Sequence, residues 1–235
     1  MVKVQHLLAL SAVVLLAACG PAAAPAASGR EQAASAGPLD LKAPAGVYAV
    51  DPAHASLQWF VGHNRGISNY VARFNTFDGA ITLDPTNLAN SRVEFTIDPA
   101  SVDAHYPGDY RRTHARSDFA NWNEDMARNE RFLNAGAFPE IRFSSTSVKL
   151  TGPRTADVTG DLSFLGQTRP VTLRATFNGE LERHPFAGAP AIGFAAEGRF
   201  KRSDFGMALG PVSDEVTVRF DGEFIRRDPA AAAGR

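Results

Sequence analysis

The stretch 216–224, VTVRFDGEF, decides the fold. Val216, Val218, Phe220, Gly222 and Phe224 take every second position, with Thr217, Arg219, Asp221 and Glu223 between them. Side chains of an extended strand point alternately to opposite faces, so this spacing makes one dry face and one wet face. The pattern recurs in 192–200, IGFAAEGRF, in 171–178, VTLRATFN, and in 92–98, RVEFTID. Residues 48–50, 56–63, 70–83, 141–150 and 158–165 are also rich in β-branched and aromatic residues. Turn chemistry such as Asp51-Pro52, Asp84-Pro85 and Thr151-Gly152-Pro153 bounds them. About eight or nine strands, each with one apolar face, in a chain with little helix, predict an all-β antiparallel barrel or sandwich, with about eight strands if it closes as a barrel. Between Phe74 and Phe77 the apolar phase inverts, as a bulge produces.

One segment has another period. Residues 117–132, SDFANWNEDMARNERF, set Phe119, Trp122 and Met126 at helical spacing and predict one short α-helix in a long loop, with Ser117 or Asn123 as its cap. Its apolar stripe either covers an open barrel end or seam, or packs on the outside.

The first 45 residues belong to a different regime. Lys3 precedes an apolar run from Leu7 to Ala18 that is short for a membrane span and ends in small residues, so residues 1–18 read as an export signal. Leu16-Ala17-Ala18-Cys19 resembles the lipobox of bacterial lipoproteins, in which the cysteine is acylated, for example with palmitate. Residues 19–45 are mostly Ala, Pro, Gly and Ser without hydrophobic period and predict a disordered tether, and 229–235 a disordered tail. These features predict a periplasmic protein held by lipid on Cys19 to a membrane, with Gly20 favouring the outer one. Cys19 is the single cysteine, so no disulfide or thiol chemistry is expected in the mature domain.

Residues 46–228 hold all 16 phenylalanines and suffice for one buried core. Their charge is mixed, which gives no footing to nucleic acid. Gly160, Ala175, Ala196, Gly198 and Gly222 fall in phase with the large apolar residues. Small residues on the dry face either leave room for a ligand inside a barrel or merely let a coiled sheet bend. His54 and His63 are an odd number of positions apart and face opposite ways along an unbroken strand, so no shared metal site is expected; His63 is in phase with Leu57, Trp59 and Val61. No hydrolase elbow, Walker loop, His-Glu-x-x-His or Cys-x-x-Cys motif is present, and an enzyme is not expected.

Four ordered motifs resemble one family. GVYAVDPAHASLQWFVGH (46–63), FPEIRFSST (138–146), VTGDLSFLGQTRPVTL (158–173) and FKRSDFGM (200–207) are similar to successive elements of the YceI-like domain. That resemblance implies an extended, lipocalin-like barrel that holds a long isoprenoid or similar amphiphile, with no other cofactor. The interior would then be formed by Trp59, Val61, His63, Phe74, Phe95, Phe143, Phe164, Phe177, Phe194, Phe200 and Phe205. Arg112 and Arg202 are the candidates for an anionic head group. In 198–209, Asp204 is expected to satisfy turn amides, Gly206 to take a positive φ, and Phe205 to plug the barrel end or floor the cavity. The segment 104–125 is longer than the family's usual connection and adds Tyr106, Tyr110, Arg111, Arg112, His114 and Trp122. The rival expectation is a non-carrier, an envelope stress or scaffold protein whose barrel is filled by its own side chains and which binds a protein. A homodimer is compatible with either.

Overall fold

The longest ladder joins the two ends of the domain. In a computed structural model that describes residues 41–104, 106–207 and 210–227, strand β1 (Gly46–His63) runs antiparallel to β10 (Val212–Arg226) from Tyr48 opposite Arg226 to His63 opposite Val212. That pairing closes the sheet. Its other strands are β2 (Ser68–Phe74), β3 (Phe77–Leu83), β4 (Arg92–Ile97), β5 (Val102–Asp103), β6 (Ile141–Gly152), β7 (Thr155–Phe164), β8 (Gln167–Leu181) and β9 (Ala191–Lys201). Around the ring the order is β1-β3-β4-β6-β7-β8-β9-β10 and back to β1, an eight-stranded antiparallel barrel. β2 and β5 prolong β3 and β4: β2 pairs with the far half of β1, and β5 with β2.

The phase inversion between Phe74 and Phe77 is real. Asn75 and Thr76 separate β2 from β3, so Phe74 and Ile81 both line the interior across an odd step. The segments 48–50 and 56–63, expected as two strands split by an Asp51-Pro52 turn, are instead one strand. The ladder with β10 slips between Val50 and Ala55, so Asp51–His54 form a bulge within β1.

Composition places 41–45 in the tether, but these residues dock on the barrel. The Glu180 carboxylate accepts from the Lys42 and Ala43 backbone N–H groups at 3.0 and 2.7 Å, and Ala43 is buried. Cys19, the signal and the remaining tether lie outside the described residues, as does the tail from 228 onward.

Inward glycines leave less open volume than their size suggests. A Cβ at Gly160 would sit 2.6 Å from the Phe143 ring and 2.6 Å from the Ser144 carbonyl, and at Gly198 it would strike Leu173. Each glycine therefore seats a large side chain of the neighbouring strand flat against the wall.

Two short helices interrupt the β chain where one was expected. α1 (Tyr110–Thr113) is capped by Asp109, and α2 (Trp122–Arg128) by Asn121, whose side chain accepts from Glu124 N–H at 2.9 Å. Neither Ser117 nor Asn123 is the cap. Ser117 Oγ accepts from Tyr110 Oη at 2.6 Å, and Asn123 Oδ1 accepts from Ala104 N–H at 2.8 Å, which ties α2 to the sheet beside β5.

Candidate functional site

The dry faces of the eight ring strands converge on one cavity of about 640 Å³. Ligand sites run from roughly 300 to 1,000 Å³, and an apolar void of about 150 Å³ holds one benzene, so the lumen has room for several such units. Its wall is overwhelmingly apolar: Leu57, Trp59 and Val61 of β1 face Phe95, Phe143, Phe164, Phe177, Phe194, Phe200 and Phe220 from the other strands.

Most expected interior residues are there. Trp59, Val61, His63, Phe74, Phe95, Phe143, Phe164, Phe177, Phe194 and Phe200 all line the cavity. Phe205 does not. It is 1% exposed, packs at 5.5 Å from the Phe164 ring and 5.3 Å from the Phe200 ring, and so backs the wall from behind as a plug. Gly206 takes φ +81° and closes the short turn after it, as expected. The turn amide at Ser203 is satisfied by Asp214 of β10, not by Asp204, which is exposed: Ser203 N–H donates to Asp214 Oδ1 at 2.9 Å and its hydroxyl to Oδ2 at 2.8 Å.

The two head-group candidates part company. Arg112 is exposed on α1 and is not on the cavity wall, because the first turn of α1 buries Tyr110 and turns Arg112 outward. Arg202 reaches the wall and is 3% exposed. Its guanidinium donates to the Ser213 and Val212 carbonyls at 2.9 and 3.1 Å, and burial lowers its pKa from the ordinary arginine value. Those backbone bonds fasten the 202–205 turn to β10.

The roof adds lining residues that were not among the expected interior set. Trp122, Met126, Asn129, Arg131 and Leu133, in and after α2, line the lumen at the end where β2 and β5 extend the sheet. The helix expected to cover an opening or to pack outside therefore covers an end. The long 104–125 segment supplies an aromatic cluster there: Tyr106 stacks on Tyr70 at 5.2 Å, His114 on Tyr110 at 4.6 Å, and Trp122 lies edge-on to His114 at 4.5 Å. Beneath it, Asp125 is buried and accepts from Tyr110 Oη at 2.9 Å and Asn129 Nδ2 at 2.8 Å. Burial pushes the Tyr70 hydroxyl pKa well up. The helical spacing of Trp122 and Met126 was the one available signal; Tyr70 was readable from its phase with Phe74.

At the opposite end Arg154 also lines the lumen. Its guanidinium lies 4.9 Å over the Phe177 ring and donates to the Phe177 and Asn178 carbonyls at 3.0 and 2.7 Å.

A closed antiparallel barrel around an apolar lumen is a lipocalin-like architecture. The YceI-like domain matches residues 48–224, and the chain belongs to that family. A UPF0312 protein of Shewanella denitrificans is 39% identical over 184 residues, 77% of this chain and 87% of that protein. Among solved structures, BcnA of Burkholderia cenocepacia superposes with a TM-score of 0.59 at 23% identity, covering 74% of this chain and 98% of that one. A polyisoprenoid binding domain from Saccharophagus degradans gives a TM-score of 0.51 at 14% identity, covering 78% and 100%. At those identities the two structures share the fold.

Proposed function

We propose that this protein binds and carries a long-chain isoprenoid or similar amphiphilic lipid in the barrel lumen. The observation that supports the reading is the apolar cavity of about 640 Å³, kept open although many phenylalanines line the barrel wall. The polyisoprenoid binding domain from Saccharophagus degradans, which shares the fold, supports the ligand class.

The magnitudes suffice. Ten buried methylene groups contribute about 8 kcal/mol at roughly 0.8 kcal/mol each. Micromolar affinity needs about 8 kcal/mol net, so a somewhat longer buried tail offsets the costs of association and chain ordering. No strong head-group clamp is required, and selectivity among chains of similar girth is loose. The rival reading, a barrel filled by its own side chains, has no support from a cavity of this size.

The proposal places the protein in the periplasm, held to a membrane by acylated Cys19. Mass spectrometry of organic extracts from protein purified out of its native host tests the ligand. A stoichiometric polyprenyl amphiphile is expected. Its absence, together with no thermal shift on adding polyprenyl compounds, overturns the reading. Cys19→Ser is expected to release the protein from the membrane fraction.

A further inference from the structure

The outer wall gathers four metal-ligating side chains from three parts of the chain. Because β1 leaves its ladder after Val50 and rejoins at Ala55, Asp51–His54 stand opposite Glu223 alone. Surplus residues of this kind are swung off the regular sheet. The β8–β9 connection brings His184 to the same place. Asp51, His54, His184 and Glu223 each offer one ligating atom, and all four atoms lie within 4.8 Å of one another.

The cluster is built rather than accidental in its contacts. Asp51 Oδ2 lies 2.8 Å from His54 Nδ1, and Glu223 Oε2 lies 3.0 Å from His184 Nε2. The two imidazole centroids are 5.9 Å apart. Phe186 stacks on His54 at 6.2 Å and lies edge-on to His184 at 5.8 Å. The connection holding His184 is pinned at both ends, His184 N–H donating to the Ala189 carbonyl at 2.8 Å and Gly188 N–H to the His184 carbonyl at 2.8 Å. The His184 side chain is 4% exposed, whereas that of Glu223 is 43% exposed, which leaves an ion a way in.

We infer that Asp51, His54, His184 and Glu223 form a binding site for a divalent transition-metal ion, zinc being the best match. Two imidazoles and two carboxylates suit a borderline-soft ion that takes four ligands, whereas calcium asks for six to eight oxygens. The charge balances, two carboxylates against one dication. Four protein donors fill a tetrahedral shell and leave no position for a reacting water, so the ion's role is structural. It would staple the β8–β9 connection and the β1 bulge to β10, across the seam that closes the barrel.

Proton placement gives the site a signature. Ala187 N–H donates to His184 Nδ1 at 3.2 Å, so His184 carries its proton on Nε2, facing Glu223. An ion on Nε2 moves that proton to Nδ1 and removes the Ala187 contact.

The test uses the full chain stripped of metal and titrated with Zn²⁺ alone, with Co²⁺ as an optical probe. One ion per chain, a higher melting temperature and the absorption of four-coordinate Co²⁺ are expected. His54→Ala and Glu223→Gln are each expected to weaken Zn²⁺ binding at least tenfold; Glu223→Gln retains an acceptor for His184, so its fold is kept. Glu197→Gln, elsewhere on the outer wall, is expected to bind as the wild type does. Substoichiometric uptake by the wild type, or variants that bind Zn²⁺ as tightly as it does, overturns the proposal. The readout is independent of the lumen and of any lipid.

Discussion

The two ends of the lumen are closed by different means. Where β1 begins and β10 ends, the sheet's own side chains do most of the closing, with Leu41 and Ala43 of the docked segment and Leu88 packed beside them: Tyr48, Ile192 and Phe224 are at most 1% exposed, and Tyr48 Oη donates to the Pro44 carbonyl at 2.7 Å. At the other end α2 and the 104–125 segment lie over the opening, and Trp59 Nε1 and Tyr70 Oη are buried without a hydrogen-bond partner among the described residues. A buried donor left unmet costs about 1–3 kcal/mol. One end is therefore inseparable from the ladders that make the barrel. The other is added to them and can change without unpairing a strand, although neither end is fully satisfied, since Arg226 Nε at the sheet-closed end is also buried without a partner among the described residues.

The sharpest break of that contrast comes at the sheet-closed end. Phe224→Ala is expected to cost about 3–5 kcal/mol in denaturant unfolding, as large aromatic truncations in a packed core do. Trp122→Ala removes a ring that is only partly buried, so its stability cost is expected to be clearly smaller, while retention of an extracted lipid falls. Equal costs at the two ends would show that the roof is part of the core.

Next in size is the wall itself. Gly160→Ala sets a methyl against the Phe143 ring and a backbone carbonyl, and is expected to destabilise by about 1–3 kcal/mol, read from the denaturation midpoint. Ala196→Phe points into open lumen and is expected to change stability by less than about 1 kcal/mol while abolishing lipid recovery. Gly198 would not serve for that experiment, because Leu173 already occupies the space in front of it.

The smallest effect lies at the rim of the sheet-closed end. Asp84 accepts from Thr86 N–H, the Thr86 hydroxyl, Asn87 N–H and Asn90 Nδ2, and these bonds lower its pKa to about 2. A depressed carboxyl stabilises the fold above its ordinary value of 3.8 and loses that contribution as pH falls through about 2. Hydrogen-exchange protection of the Thr86 and Asn87 amides is expected to drop across that window. Asp84→Asn should flatten the dependence.

Much of the barrel was legible because strand periodicity is a local signal. Most residues on the dry faces of 171–178, 192–200 and 216–224 line the lumen, Ile192, Gly198 and Gly222 being the exceptions. Even the break between Phe74 and Phe77 appeared as a change of phase. Of the two readings of Phe205, a plug or part of the cavity lining, the sequence could not choose, because its turn leaves the two-residue period and its direction followed from packing alone. Arg112 failed for a related reason: a single helical turn carries too little pattern to say which side faces inward. His54 was compared only with His63, with which no shared site was expected. Separation along a strand compares it with His63, while the bulge at 51–54 and the β8–β9 connection bring it to His184 instead.

Dry and wet faces and the family were determined by the order of residues, since each depends on neighbours two to four positions away or on short ordered motifs. Which residues roof the lumen, how far the rings flatten against the glycines, and that Asp51, His54, His184 and Glu223 meet were decided only by the closed barrel. Ring closure brings together positions more than a hundred residues apart, and no local period records that distance.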